Sequence, residues 1–292
     1  MIDQFLNYLR YEKNRSELTV ERYEDSLLDF QNYFGKLEGG LSWVSVDADI
    51  IRGWMESLMD RGNVASTVNT GLSALKSFYR FALARGLVDK DPAHMVRGPK
   101  KRKPLPQFVK ESELNELLDE TEWNDTYIDV RARTIIIILY EAGLRRSELV
   151  GLDDKDVDLT AMQLKVTGKR NKQRVIPFGK ELAEQLSLYK ACRDEQIPKN
   201  SEAFFLNKRG ERISASEVYN TVRKNLSKVT TLKKRSPHVL RHSFATAMLN
   251  HHAGLESVRQ LLGHESIETT EIYTHTTFEQ LKRVYKESHP RG

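Results

Sequence analysis

Residues 236–275 read SPHVLRHSFATAMLNHHAGLESVRQLLGHESIETTEIYTH, and this stretch organises the chain. Ser236-Pro237 is a helix opening: proline suits the first turn, and a serine before it caps free amides. Val239, Leu240, Phe244, Ala247 and Met248 then recur at helical spacing and predict a core-anchored helix. On it, His238 and Arg241 are three residues apart and share a face. A second helical run, Leu255, Val258, Leu261 and Leu262, stops at Gly263, a helix-ending residue. His264 follows at once, and Tyr273 comes nine residues later. Two imidazoles, a guanidinium and a phenol on short rigid pieces are suitable equipment for attacking a phosphodiester. Taken singly, each has a plain structural explanation, such as a cap, a solvated histidine or a half-buried tyrosine. The joint pattern is the specific signal.

Outward from this stretch, composition sets limits. The 292 residues suffice for two domains with their own cores. Lysine and arginine number 46 against 41 acidic residues, a net charge of +5 too small by itself to establish a nucleic-acid partner. Distribution says more: residues 100–103 are Lys-Lys-Arg-Lys, and Lys233, Lys234 and Arg235 directly precede the His238 motif. The single cysteine, Cys192, excludes an internal disulfide framework and a cysteine zinc site and fits a reducing cytosol. The amino-terminal residues lack a signal peptide's apolar core, and the aliphatic run at 135–139 is far too short for a membrane span. A soluble cytoplasmic protein is expected. Carboxylate clusters suited to metal, Walker loops and dinucleotide-binding glycines do not occur, so neither a metal site nor a cofactor is expected.

The chain divides into three parts. Residues 1–97 carry helical periodicity only (Tyr23, Leu27, Phe30, Phe34; Ile50, Trp54, Leu58; Val68, Leu72, Leu75, Tyr79), which predicts four or five helices in a small bundle. The polar face of its 66–85 helix holds Ser66, Asn69, Thr70, Ser73, Lys76 and Arg80, either an ordinary solvated face or a DNA contact. Residues 98–109 form a linker whose core, GPKKRKPLP, is too rich in proline for regular structure, with Lys100, Lys101, Arg102 and Lys103 free to meet phosphates. Residues 110–292 form a mixed α/β domain, mostly helical. Helices are predicted near 111–120, over 127–141 up to Gly143, from Arg145 onward, and after a Ser214–Glu217 capping box. Leu164 and Val166, then Val175 and Ile176, flank a polar turn and predict a β-hairpin; Phe204-Phe205-Leu206 predicts a short strand.

The motifs HVLRHSFAT, LLGHESIETT and IYTH resemble the carboxy-terminal motifs of the tyrosine recombinase (phage-integrase) family. AGLRRSELVGL at 142–152 is similar to the family's first-arginine motif, and GKRNKQRVIPFG at 168–179 to its lysine hairpin. The closing FEQLKRVYKESHPRG resembles the Xer-type branch, XerC/XerD, that resolves chromosome dimers. The resemblance covers nearly the whole chain and implies the architecture: a SAM-like helical core-binding domain that clamps one side of the duplex, and a catalytic domain. It also implies the roles. Tyr273 is the nucleophile that forms a 3′-phosphotyrosyl link. Arg145 and Arg241 hold the non-bridging oxygens, with Arg146 in the motif's variable slot. His238 helps take the tyrosine proton, His264 donates to the phosphate, and Lys169 (Lys172 being the alternative) protonates the leaving 5′-oxygen. Glu148 orients an arginine; His242, His251, His252 and His275 stay structural or surface residues.

The same resemblance implies partners: a double-stranded recombination site, and a homo- or hetero-tetramer with a paralogous recombinase that passes through a Holliday junction. A DNA translocase as activator and residence at the nucleoid follow too. The tail helix, with Phe278, Leu281 and Tyr285 on one face, is expected to dock on a neighbouring protomer or else to fold back on its own domain. A mobile-element integrase of the same fold is the runner-up; the short amino-terminal region, lacking an arm-binding domain, favours the Xer-type reading. A type IB topoisomerase shares the chemistry. A non-catalytic helical DNA-binding regulator is disfavoured because every catalytic position is filled.

Overall fold

Val20, Leu27, Phe30 and Phe34 line the buried face of a helix, α2 (Glu17–Phe34), as their spacing requires. Residues 1–37, 42–100, 107–168, 172–263 and 278–291 are described in the computed structural model, and the chain splits into two units, Met1–Pro104 and Leu105–Gly292. In the first unit α2 packs with α1 (Ile2–Asn7, prolonged by a wider turn over Tyr8–Glu12), α3 (Ala48–Asp60) and α4 (Ala65–Ala84). Asp47 starts α3 by accepting the amides of Asp49 and Ile50 at 2.9 Å. Phe5, Phe30, Trp54, Phe78 and Tyr79 form the aromatic centre of this core. The Trp54 indole donates to Asp29 at 2.7 Å, and a Cβ on Gly71 would come within 2.7 Å of its ring, so α3 and α4 approach closely only through glycine.

The second unit is built around α6 (Tyr127–Glu141), whose Ile135, Ile136, Ile137, Ile138 and Leu139 are fully buried. A helix apolar on every side must be wrapped by others. Here α8 (Lys180–Gln196), α9 (Ala215–Val229) and α10 (Pro237–Asn250) surround it. The helix near residue 111 is α5 (Glu111–Asn115), prolonged by a wide turn over Glu116–Glu120. After Gly143, whose φ of +58° reverses the chain, comes α7 (Arg146–Val150). The expected hairpin is β2 (Gln163–Thr167) with β3 (Gln173–Pro177), and a strand the sequence did not announce, β1 (Val157–Asp158), adds to it in the order β1-β2-β3, all antiparallel. The remaining helices are α11 (Leu255–Leu262) and α12 (Phe278–Ser288).

Two local expectations, at Ser236 and at Phe204-Phe205-Leu206, are corrected. Ser236 holds the N-cap position of α10, but its side chain makes no capping bond; its carbonyl accepts the Val239 amide at 2.9 Å instead. Val175 faces outward at 37% exposure, because the inward positions of β3 are Arg174 and Ile176. Phe204-Phe205-Leu206 is no strand, only isolated bridges of Ala203 with Asp153 and Leu206 with Arg212, its buried rings packing around Tyr189. Helix α8 was not foreseen.

The terminal helix folds onto its own unit. Tyr285 is buried against α6, where its hydroxyl donates to Glu141 at 3.5 Å, and His289 stacks on its ring at 5.1 Å. Burial, then the Glu181 charge, raises the Glu141 carboxyl well above the usual range.

Candidate active site

Four elements of the second unit converge: the start of α7, the inner face of β3, the first turns of α10 and the last turn of α11. Their meeting point is Glu148, whose side chain is 1% exposed. One oxygen accepts Arg145 Nη1 at 2.6 Å and Arg174 Nη1 at 2.8 Å; the other accepts Arg174 Nη2 at 2.9 Å and the Arg145 amide at 2.8 Å. Arg241 Nη1 stands 3.9 Å from that second oxygen. One buried carboxylate thus pairs with two guanidiniums and lies near a third, a geometry suited to arginine's planar fork.

The other side of the cluster is the end of α11. The last carbonyls of a helix lack partners within it, and they carry the negative end of its dipole. Gly263 ends α11 in the left-handed region at φ +61°, turning the carbonyls outward. Each of three successive carbonyls then accepts one arginine. Leu261 takes Arg174 Nε at 2.9 Å, Leu262 takes Arg241 Nη2, and Gly263 takes Arg145 Nη2 at 2.9 Å. The second nitrogen of Arg241 donates to the Gly143 carbonyl at the α6–α7 reversal. There a side chain is doubly excluded: φ is positive, and a Cβ would lie 2.6 Å from Phe244.

Charges here follow from this geometry. Burial alone would raise the Glu148 pKa, but the bonds and charge of Arg174, then the bonds from Arg145, outweigh it and hold the carboxyl down at about 2. Burial, then repulsion from Arg145 and Arg174, lowers Arg241 to about 9 against the opposing pull of Glu148, and it stays charged at neutral pH. His238, exposed on the first turn of α10, is lowered by partial desolvation and then by the charges of Arg146, Arg241 and Arg145. Its imidazole is therefore neutral near pH 7 and able to accept a proton.

Among the residues expected to carry chemistry, Arg145, Glu148, His238 and Arg241 come together. Arg145 reaches Glu148, whereas Arg146 is exposed. Lys169, His264 and Tyr273 lie outside the described residues, as do Lys101, Arg102 and Lys103. Sequence reasoning missed Arg174. A signal existed: Val166 pairs with Arg174 and Leu164 with Ile176, so an arginine stands where inward alternation calls for an apolar residue.

In the first unit, the polar face of α4 is only partly free. Ser66, Thr70, Ser73 and Arg80 are exposed, although Thr70 and Ser73 turn their hydroxyls back to carbonyls of their own helix. Asn69 is half-buried and donates to the Ala65 and Pro99 carbonyls, fastening the chain at Gly98-Pro99. Lys76 donates to the His94 carbonyl at 3.2 Å, and Lys100 is exposed. Among the described residues, no group of three histidine, cysteine or acidic side chains is placed to hold a metal, and no helix is long and apolar enough to cross a membrane.

Comparison with known proteins identifies the family. Residues 107–280 match the phage integrase family, and residues 2–86 match the phage integrase N-terminal SAM-like domain. The chain is 40% identical to the tyrosine recombinase XerC of Pelotomaculum thermopropionicum over 100% of its own length and 98% of that protein's. It is 38% identical to the tyrosine recombinase XerC of Vibrio vulnificus, covering 100% and 91%. Among solved structures it resembles the XerH site-specific recombinase bound to difH substrate in a post-cleavage complex (TM-score 0.72, 24% identity, 97% of this chain and 83% of that one). It also resembles the Tn1549 transposon integrase bound to transposon right end DNA (TM-score 0.74, 18% identity, 98% of each). These two likenesses concern the fold.

Proposed function

The chain belongs to the phage integrase family of tyrosine recombinases, enzymes that cut and rejoin DNA, and we propose that it resolves chromosome dimers at one site by the residues named here. The observation that carries the assignment of residues is the shared anchorage of Arg145 and Arg241 on buried Glu148 and on the end of α11. Two fixed guanidiniums offset charge on the non-bridging oxygens of a phosphodiester without reorganising, each such preorganised donor being worth roughly 3 kcal/mol in the transition state.

The Tyr273 oxygen attacks phosphorus in line while the P–O5′ bond breaks. A phenol of pKa about 10 is protonated near neutrality, and neutral His238 takes its proton. Lys169 gives a proton to the departing 5′-oxygen, and His264 donates to the phosphate. The product is a 3′-phosphotyrosyl link and a free 5′-hydroxyl. The link conserves the bond's free energy, so a second 5′-hydroxyl can reverse the step on another strand without a nucleotide.

The DNA surface comprises the exposed part of the α4 face with Arg80, and the basic residues Lys100, Lys101, Arg102 and Lys103 of a strap, residues 98–109, between a core-binding domain, 1–97, and a catalytic domain, 110–292. Work on two duplexes calls for four protomers, of this chain or with a paralogous recombinase, and α12 exchanges from its own unit to a neighbour's in that ring. A DNA translocase activates the assembly, and the enzyme acts in the cytoplasm at the nucleoid. Sequencing the DNA that the protein retains covalently in cells tests the role. Recovery of one chromosomal site supports dimer resolution; recovery of mobile-element ends overturns it in favour of an integrase.

A further inference from the structure

Arg174 enters the catalytic cluster from a position where a sheet normally places a hydrophobe. Its side chain is 15% exposed, and each of its three nitrogens already donates to protein: two to Glu148 and one to the Leu261 carbonyl. The fit is close, since a Cβ on Gly263 would lie 3.1 Å from both its Cδ and its Nη1. It thus joins β3 to the two supports that hold the other arginines. Glu148 is shared with Arg145 and stands near Arg241, and the carbonyls next after Leu261 hold Arg241 and Arg145.

We propose that Arg174 is a positioning residue for DNA cleavage: through Glu148 and the end of α11 it fixes Arg145 and Arg241 at the scissile phosphate without touching that phosphate. The inference rests on the reading of Arg145 and Arg241 as the groups that offset charge on the non-bridging oxygens. Loss of the Arg174 fork releases one side of Glu148 and frees the Leu261 carbonyl, so the two arginines shift. A displacement of about 1 Å at a reacting centre costs on the order of 100-fold in rate. Lysine does not replace the fork, because a point charge cannot bond both carboxylate oxygens and the carbonyl in one plane.

The test uses the full chain on a suicide DNA substrate carrying either an ordinary scissile phosphate or a neutral methylphosphonate, which has less charge to offset. Single-turnover cleavage is measured for Arg174→Gln, Arg174→Lys and Arg145→Ala, each corrected for the folded, DNA-bound fraction; Arg174→Lys, which keeps charge and bulk, serves where Arg174→Gln fails to fold. On the phosphodiester both Arg174 variants should be slower by on the order of 30- to 100-fold, and on the methylphosphonate by less than about threefold. A merely structural role slows both substrates alike, and that result, or full activity of Arg174→Lys on the phosphodiester, overturns the inference. If Arg145→Ala is not itself relieved by the methylphosphonate, the reading of the arginines fails, and this inference falls with it. Relief of Arg145→Ala without relief of the Arg174 variants removes the inference alone.

Discussion

Replacing Glu148 by glutamine keeps the side chain's volume and removes the one negative charge in the cluster. The carboxyl titrates at about 2 in the folded chain against an ordinary 4.5. That difference of about 2.5 pH units, at 1.36 kcal/mol each, corresponds to roughly 3 kcal/mol of stability from the ionised form. The figure agrees in order with the roughly 3–5 kcal/mol lost when one partner of a buried ion pair is removed. Because the folded pKa is the depressed one, this stability is fully present above pH 4.5 and fades as pH falls toward 2. Glu148→Gln should therefore destabilise the catalytic unit by about 3 kcal/mol at pH 7, and by about 2 kcal/mol less than that at pH 3, where wild type has already lost most of the benefit. Urea unfolding of the full chain at pH 7, 5 and 3, read by hydrogen exchange in peptides from α6 and α10, reports this unit separately from the first. A gap below about 1 kcal/mol at pH 7, or one that stays constant down to pH 3, would refute the reasoning.

Other expectations follow from the same site. Since partial desolvation and then the charges of Arg146, Arg241 and Arg145 lower His238, the acid limb of the single-turnover cleavage rate should be centred below the ordinary 6.5 of a histidine. An acid limb centred above 6.5 would count against His238 as the base. Lys169→Ala should cut ordinary DNA far more slowly yet cut a bridging 5′-phosphorothiolate almost normally, since that leaving group needs no proton; selective rescue of Lys172→Ala instead would move the acid to the other lysine. Cleavage should proceed in EDTA without nucleotide, because the charge is offset by guanidiniums; activity that vanishes on chelation and returns with Mg²⁺ would overturn the mechanism.

Much of this was legible in the sequence because the signals were local. The periodicity of α2, α3, α4 and α6 lies in adjacent turns, and the hairpin is announced by strands on either side of a polar turn. Arg145 could be preferred to Arg146 by motif alone; in the fold Arg145 is the N-cap of α7, with its amide and guanidinium both on Glu148, while Arg146 faces solvent. What stayed hidden depended on distant partners. The buried face of α8 includes Gln185 and Arg193, polar residues that look exposed until Thr134 and Asp154 are brought to them. Arg174 looked like one more basic residue near a lysine-rich turn, because Glu148 is 26 residues away and Leu261 is 87. Ser236 marked a helix start correctly without making the bond that usually explains such a serine. The tail's apolar face was plain, but periodicity could not say what it covers; in the isolated chain Tyr285 covers Glu141.

The central claim is that DNA is cut by attack of Tyr273, with the arginine cluster anchored on Glu148 and α11 receiving the phosphate. Its most direct test is the covalent intermediate. Incubation with a nicked suicide substrate, denaturation, proteolysis and mass spectrometry should place a 3′-linked nucleotide on the peptide containing Tyr273. Tyr273→Phe should give no adduct while binding DNA nearly as well. A nucleotide found on another side chain, or an adduct that survives Tyr273→Phe, would contradict the account.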